Sequence, residues 1–563
     1  MAFKEQVKKL RQRLRGFDGS FEQLGPLVED EPDALVAVLR SRAALRSSAD
    51  VESAELLPRQ GWRVGSALFA ADVALGVLGA PWSRSSHAQT QETRWFKELR
   101  GGLDTFARIC WMLRFGYTFA AAASTRLHLE RWTLNVASSH GIERDEGEDD
   151  ADYIDRAWAV YGKSSHGVGV GRRWSELSEL VHGRSIDLQG TAVTLGSALP
   201  LATRIKLHKY IVETAEISLR QVRGCIDAAL RERDVRHRFR GLLQMDVSRI
   251  SSGPTPPDFL SVFYEPLSYQ FVFSPVATTT SEWGASYRRI VKGATGRRSF
   301  NPPPPWMAIE ERWVRSISDA RSSFDRERMQ LGTDFDPAHL DNALNAYQAI
   351  TEMANLVAAR LADLEHGESL RVAAAALEAS WVLWLNDVDD SLLAMRATLE
   401  LTARARVYRT KPDAAAKLAA RGKAATPHRW IEKAGWGRQS AFTRALGEFA
   451  HIQTRSRHRA SRSLLTSIQR DATEGYEMYT ARAGALEEVA RMLAHEVAAT
   501  VTALDPKLGT RFRHIVLQES QEESERNLES WLNTAMSFRS HDFGTADYAE
   551  VVGPEEGTAG PAT

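Results

Sequence analysis

The chain is 563 residues long, too long for a single hydrophobic core, and its 43% apolar and 26% charged residues are the balance of a soluble globular protein. Basic and acidic side chains are equal in number, so any binding to nucleic acid or membrane has to come from a local patch. Two cysteines, Cys110 and Cys225, without partners at metal-ligand spacing, argue against a disulfide-stapled domain and a thiolate zinc site.

The N-terminal stretch is basic but has no apolar core for a signal peptide. The longest apolar candidate, around Phe115–Ala123, is too short to span a bilayer, so a cytoplasmic protein without a membrane partner is expected. Residues 1–16 align Phe3, Val7, Leu10 and Leu14 on one face of a surface helix. Helices near 32–46 and 62–80 complete an N-terminal helical extension over residues 1–93.

A first helical unit is expected over 94–250. Its opening helix runs through Trp111, Phe115 and the alanines 120–123 to Arg126 and Glu130, apolar throughout and nearly free of breakers. An acidic loop, Glu143–Asp152, leads to Tyr153–Tyr161 and then to the run Gly167-Val-Gly-Val-Gly171. That run has neither the Lys-Ser/Thr of a phosphate loop nor the third glycine of a dinucleotide fingerprint, and reads as plain loop. A helix bearing Glu179 and His182 follows, then a long amphipathic helix over about 203–233.

Residues 251–307 are bounded by prolines and carry Phe263, Tyr264, Tyr269, Phe271 and Phe273, which suits an ordered extended arm better than a flexible linker. The second helical unit is expected over 308–535, with helices near 308–328, 337–365 and 368–409, and a basic loop from Arg409 to Lys433. Residues 536–563 read as a disordered tail.

Two motifs recur at nearly constant offset. Arg126-Leu-His-Leu-Glu130 returns as Arg396-Ala-Thr-Leu-Glu400, and Leu177-Ser-Glu-Leu-Val-His182 as Leu446-Gly-Glu-Phe-Ala-His451. Arg126 and Arg396 are 270 residues apart, as are Trp111 and Trp381, and His182 and His451 are 269 apart. Such spacing points to an internal duplication. The fold class expected is all-α: two homologous helical bundles joined by the aromatic arm.

In each copy the Arg and Glu are four apart and the Glu and His three apart, so each pair shares a helix face. Three uses of these residues are open. They can form a buried polar network that fixes helix register. They can hold two metal ions: Glu130, Glu179-x-x-His182, Glu400 and Glu448-x-x-His451 resemble the ligand set of ferritin-like di-iron or di-manganese proteins. The spacing departs from that family, because each first Glu lies about 49 residues from its Glu-x-x-His, further than adjacent bundle helices need.

The third use is nucleolytic. Arg444-Ala-Leu-Gly-Glu-Phe-Ala-His451 resembles the Arg-x4–6-His motif of the HEPN superfamily, small helical bundles that are often ribonucleases in bacterial toxin and phage-defence systems. The resemblance implies RNA as partner, no cofactor, His451 as general acid/base and Arg444 as stabiliser of developing phosphate charge. Glu448 and Arg396 would complete that site, and Arg455, Arg457, Arg459 and Arg462 would meet phosphates, aided by Arg404, Arg406 and Arg409. The first unit departs from the motif, with Ser175 at the position of Arg444, which implies an inactive or structural copy. Self-association is left open.

Overall fold

The computed structural model describes residues 20–26, 34–54, 116–161, 169–196, 199–232, 337–362, 364–385, 390–436 and 483–517, with isolated positions in 105–113 and 442–447. Among these residues 82% are helical, which establishes the all-α class. No helix of the described residues is long and apolar enough to cross a membrane. The helices expected at 1–16, 62–80 and 308–328, the arm at 251–307 and the tail at 536–563 lie outside the described residues. The chain divides into two compact units: residues 1–16, 40–323 and 385–387 form one, and 17–39, 324–384 and 388–563 the other. Helix α1 (Ala34–Ala54) carries the fully buried Leu35 and Leu39.

In the first unit the expected continuous helix through Trp111 and Glu130 is interrupted. Gly116 adopts φ +78°, a left-handed conformation that closes the preceding helical piece, with the Tyr117 N–H donating to the Met112 carbonyl at 2.9 Å. The chain restarts as α2 (Thr118–His140). Its residues from Phe119 to Glu130 are buried all round, as in a helix at the centre of a bundle. Left-handed Gly141 ends it, the Ile142 N–H donating back to Ala137 at 2.9 Å.

Three helices pack on α2: α3 (Asp150–Trp158), α4 (Val170–Val181) and α5 (Leu201–Glu232). Asp149 caps α3 by accepting from the Ala151 N–H at 2.8 Å. The acidic loop before it folds onto its own arginines: Arg156 forks onto Glu148 at 2.8 and 2.6 Å, and Arg144 reaches Asp150 at 2.6 Å. Gly171, which closes the glycine run, has a packing cause. The Asp155 carboxylate accepts from the Gly171 N–H at 2.8 Å, and a Cβ on Gly171 would collide with the Ala151 carbonyl, so α3 and α4 touch backbone to backbone. A two-stranded hairpin, β1 (Ile186–Asp187) and β2 (Ala192–Val193), pairs Ile186 with Val193 between α4 and α5.

In the second unit α6 (Pro337–Arg360), α7 (Glu365–Leu385) and α8 (Asp390–Thr410) are followed by α9 (Pro412–Ala419), α10 (Pro427–Lys433), α11 (Ala483–Leu504) and α12 (Pro506–Leu517). The helix expected over 368–409 is therefore two, α7 and α8. The basic loop expected from Arg409 to Lys433 is instead mostly helical, because Pro412 and Pro427 each stand in the first helical turn, where proline starts helices rather than ending them. Helix α8 is buried almost all round from Asp390 to Ala405 and packs on α9, α10 and α11. Helix α11 also contacts α6 and turns tightly into α12, with Asp505 accepting from the Leu508 N–H at 3.0 Å. The 3-10 turn Phe21–Gln23 packs on α6, and Glu22 pairs with Arg360 at 2.7 Å.

Candidate functional site

In the first unit the repeated Arg–Glu pair is interior. Arg126 is 1% exposed and Glu130 3%, with Nη2 and Oε1 3.0 Å apart. Helix α4 supplies what the spacing did not show: Trp174 donates its indole N–H to Glu130 Oε1 at 2.7 Å, and the Arg126 guanidinium lies 5.1 Å from the centre of the Trp174 ring. Burial pushes the Glu130 carboxyl up to about 7, against the downward pull of Arg126 and of the indole hydrogen bond. A second layer ties α4 to α5. Arg173 donates to Thr214 at 3.0 Å and lies 5.2 Å over the Tyr210 ring, while the Tyr210 hydroxyl donates to Glu176.

Below Glu130 on α2, Thr118 Oγ1 and His208 Nε2 are 2.9 Å apart, and burial pushes the His208 imidazole down to about 4, with Arg204 adding to the effect. His208 and Glu130 act on stability in opposite senses. The folded state holds a proton on Glu130 that the unfolded state has released, so this contribution is full below pH 4.5 and is lost as pH rises through about 7. His208 is neutral in the folded state, so its contribution is full above pH 6.5 and is lost as pH falls through about 4. The two slopes oppose each other over the shared window. Denaturant unfolding of His208→Gln between pH 4.5 and 6.5 is expected to show stability falling as pH rises, relative to wild type; an unchanged profile contradicts the assignment.

The Glu-x-x-His pair lies elsewhere on α4. Leu177, Leu180 and Val181 face the core, whereas Glu179 and His182 are half-buried at the helix end, Glu179 pairing with Arg184 at 2.8 Å. Among the described residues no three His, Cys, Asp or Glu side chains are grouped to hold a metal ion, and that covers Glu130, Glu179, His182 and Glu400 of the di-metal set.

In the second unit Glu400 is 1% exposed and is met by Arg404 at 2.5 Å, one turn further along α8. The Arg404 guanidinium lies 5.5 Å over the Trp430 ring of α10. Each unit thus buries a glutamate of its central helix against an arginine one turn away, and each of those arginines stacks on a tryptophan from a later helix. The arginine precedes the glutamate in the first unit and follows it in the second. Arg409 forks onto buried Glu496 of α11 at 2.6 and 2.9 Å, beside His366, whose imidazole burial holds below its usual range. Arg404 and Arg409, expected among the phosphate contacts, are therefore occupied with buried carboxylates.

Arg396 is half-buried, and its guanidinium lies against Gly447: a Cβ there would stand 3.2 Å from Nη1. Leu446, the counterpart of Leu177, is fully buried as Leu177 is. Arg444, Glu448, His451, Arg455, Arg457, Arg459 and Arg462 lie outside the described residues. Trp174 and Trp430 were not singled out from the sequence, although both are tryptophans on short helices that follow the long repeated ones. No family model, curated protein or solved structure matches this chain.

Proposed function

We propose that the second helical unit binds or cleaves RNA in the manner of HEPN-like bacterial defence proteins, with His451, Arg444, Glu448 and Arg396 as its site. The observation that carries this reading is the Arg396 guanidinium resting on Gly447, between Arg444 and Glu448 in the chain, which brings the half-buried cation of one repeated motif beside the other. The repeat register also assigns Glu448 and His451 the counterparts of the half-buried positions Glu179 and His182. In this chemistry His451 takes the proton from a ribose 2′-hydroxyl as its oxygen bonds to phosphorus. The bond from phosphorus to the 5′-oxygen breaks, and the leaving oxygen takes up the proton from His451, while Arg444 and Arg396 balance the charge that grows on the phosphate, without a metal. Arg455, Arg457, Arg459 and Arg462 hold neighbouring phosphates. Incubated with end-labelled RNA and excess chelator, the wild-type chain is expected to cleave, and Arg444→Ala and His451→Ala to be slower by roughly 10²–10⁴-fold. Equal rates for all three contradict the proposal.

A second reading, a non-enzymatic helical interaction protein, is favoured by the burial of Arg126, Glu130, Glu400 and Arg404, which suits helix registration rather than contact with a substrate. Under it, wild type leaves RNA intact. The two readings divide the repeated segments: the buried Arg126–Glu130 and Glu400–Arg404 pairs hold helices in register, and Arg396 with the Arg444–His451 segment carries the chemistry.

A further inference from the structure

We infer that the lobe formed by α9 and α10, residues 411–436, is a docking surface for the RNA phosphate backbone. The inference rests on the RNA reading above and concerns residues outside its catalytic set. One side of the lobe is apolar: Ala415, Leu418, Ala425, Trp430, Ile431 and Ala434 are buried, and both helices pack on α8. The other side exposes Lys411, Lys417, Arg421, Arg429 and Lys433. Across 411–436 the sequence has six Lys and Arg against two acids, Asp413 and Glu432, in a chain whose whole is neutral. Among the described residues the ion pair within the lobe is His428–Glu432 at 3.1 Å, and Lys411, Lys417, Arg421, Arg429 and Lys433 meet no carboxylate there.

Two of these cations are held in place by carbonyls. Lys411 Nζ donates to the Lys433 carbonyl at 2.9 Å and Arg429 to Ala424 at 3.0 Å. Arg406, at the edge of the lobe, donates to Ala434 at 3.1 Å and stacks 5.3 Å over the half-buried Trp436 ring. A carbonyl orders a cation without cancelling its charge, so less side-chain freedom is lost when a phosphate arrives. The acidic loop of the first unit differs in that some of its carboxylates are paired, Asp150 with Arg144 and Glu148 with Arg156.

The surface also selects among polyanions. A stable protein interface is centred on buried apolar anchors, and an interfacial helix on a membrane inserts an apolar face. The large exposed hydrophobics of the described residues are Leu134, Val160, Leu201, Leu364 and Leu504, none of them on the lobe. Charge without an apolar anchor fits the sequence-independent part of nucleic-acid binding.

The test is fluorescence anisotropy of the full chain with a labelled 20-nucleotide poly-U RNA, from about 50 to 200 mM salt. Each phosphate contact on a single strand contributes about 0.7 to the slope of log affinity against log salt. Lys417→Glu/Arg421→Glu/Arg429→Glu is expected to flatten that slope by about 2 and to weaken binding at least about tenfold at the lower salt. The milder Lys417→Ala/Arg421→Ala/Arg429→Ala should move both in the same direction, with a wild-type circular dichroism spectrum. Unchanged slope and affinity in both variants overturn the lobe while leaving the catalytic reading in place. Loss of binding in the lobe variants, with cleavage unaffected by His451→Ala, supports the lobe and overturns the catalytic reading. No binding of poly-U by wild type overturns the lobe.

Discussion

Glu130→Ala is expected to remove about 3–5 kcal/mol of folding stability in denaturant unfolding, and Arg126→Met distinctly less. The asymmetry follows from what each partner can do when left alone. A guanidinium cannot shed its proton inside a protein, so without Glu130 the Arg126 charge stays buried against the Trp174 ring with its carboxylate gone. A carboxyl can neutralise itself. Burial already holds Glu130 near 7, and loss of Arg126 lets it take up a proton and keep its indole hydrogen bond. The double variant Arg126→Met/Glu130→Met should recover most of the lost stability, as apolar replacements of buried ion pairs commonly do. Equal losses from the two single substitutions would contradict this account of the pair.

Glu400→Ala should have a comparably large effect in the second unit, again about 3–5 kcal/mol. Arg404 meets Glu400 within α8 and lies over Trp430 of α10, so removal of the carboxylate frees the guanidinium at the seam between the two helices. Arg404 is 9% exposed where Arg126 is 1%, and some of its charge can turn to water. The expected loss therefore sits toward the lower end of that range. Hydrogen exchange should show the damage at α8 and α10 before it reaches α12. A loss below about 1 kcal/mol, the level of a surface pair, would show that the pair does not fix the seam.

Much of the fold was legible from patterns of local origin. The apolar periodicity that predicted a helix over 203–233 is met by α5 over Leu201–Glu232, and the alanine run that predicted an interior helix lies in α2. The misreadings have specific causes. Nothing in the apolar pattern around Phe115 marks Gly116 as left-handed, since glycine is also tolerated inside helices. The stretch from Arg409 to Lys433 read as loop because its prolines suit a helix end, but Pro412, just after α8 ends at Thr410, also opens α9.

The candidate site was legible only where its geometry lies within one helix. Arg126 with Glu130 is an i, i+4 pair visible as spacing, and the structure brings the two together. Trp174 is 44 residues from Glu130 and Glu496 is 87 from Arg409, and no periodicity connects residues on different helices. Equally, spacing could not tell that Glu130 is interior while Glu179 sits half-buried at a helix end, because that depends on which face of each helix the bundle covers.

The division of labour among the repeated residues is tested most directly by measuring unfolding free energy and RNA cleavage side by side for Glu400→Ala and His451→Ala. The account predicts that His451→Ala keeps its stability within about 1 kcal/mol and loses cleavage, while Glu400→Ala loses stability. A His451→Ala chain that is as destabilised as Glu400→Ala, or that cleaves RNA at the wild-type rate, would contradict it.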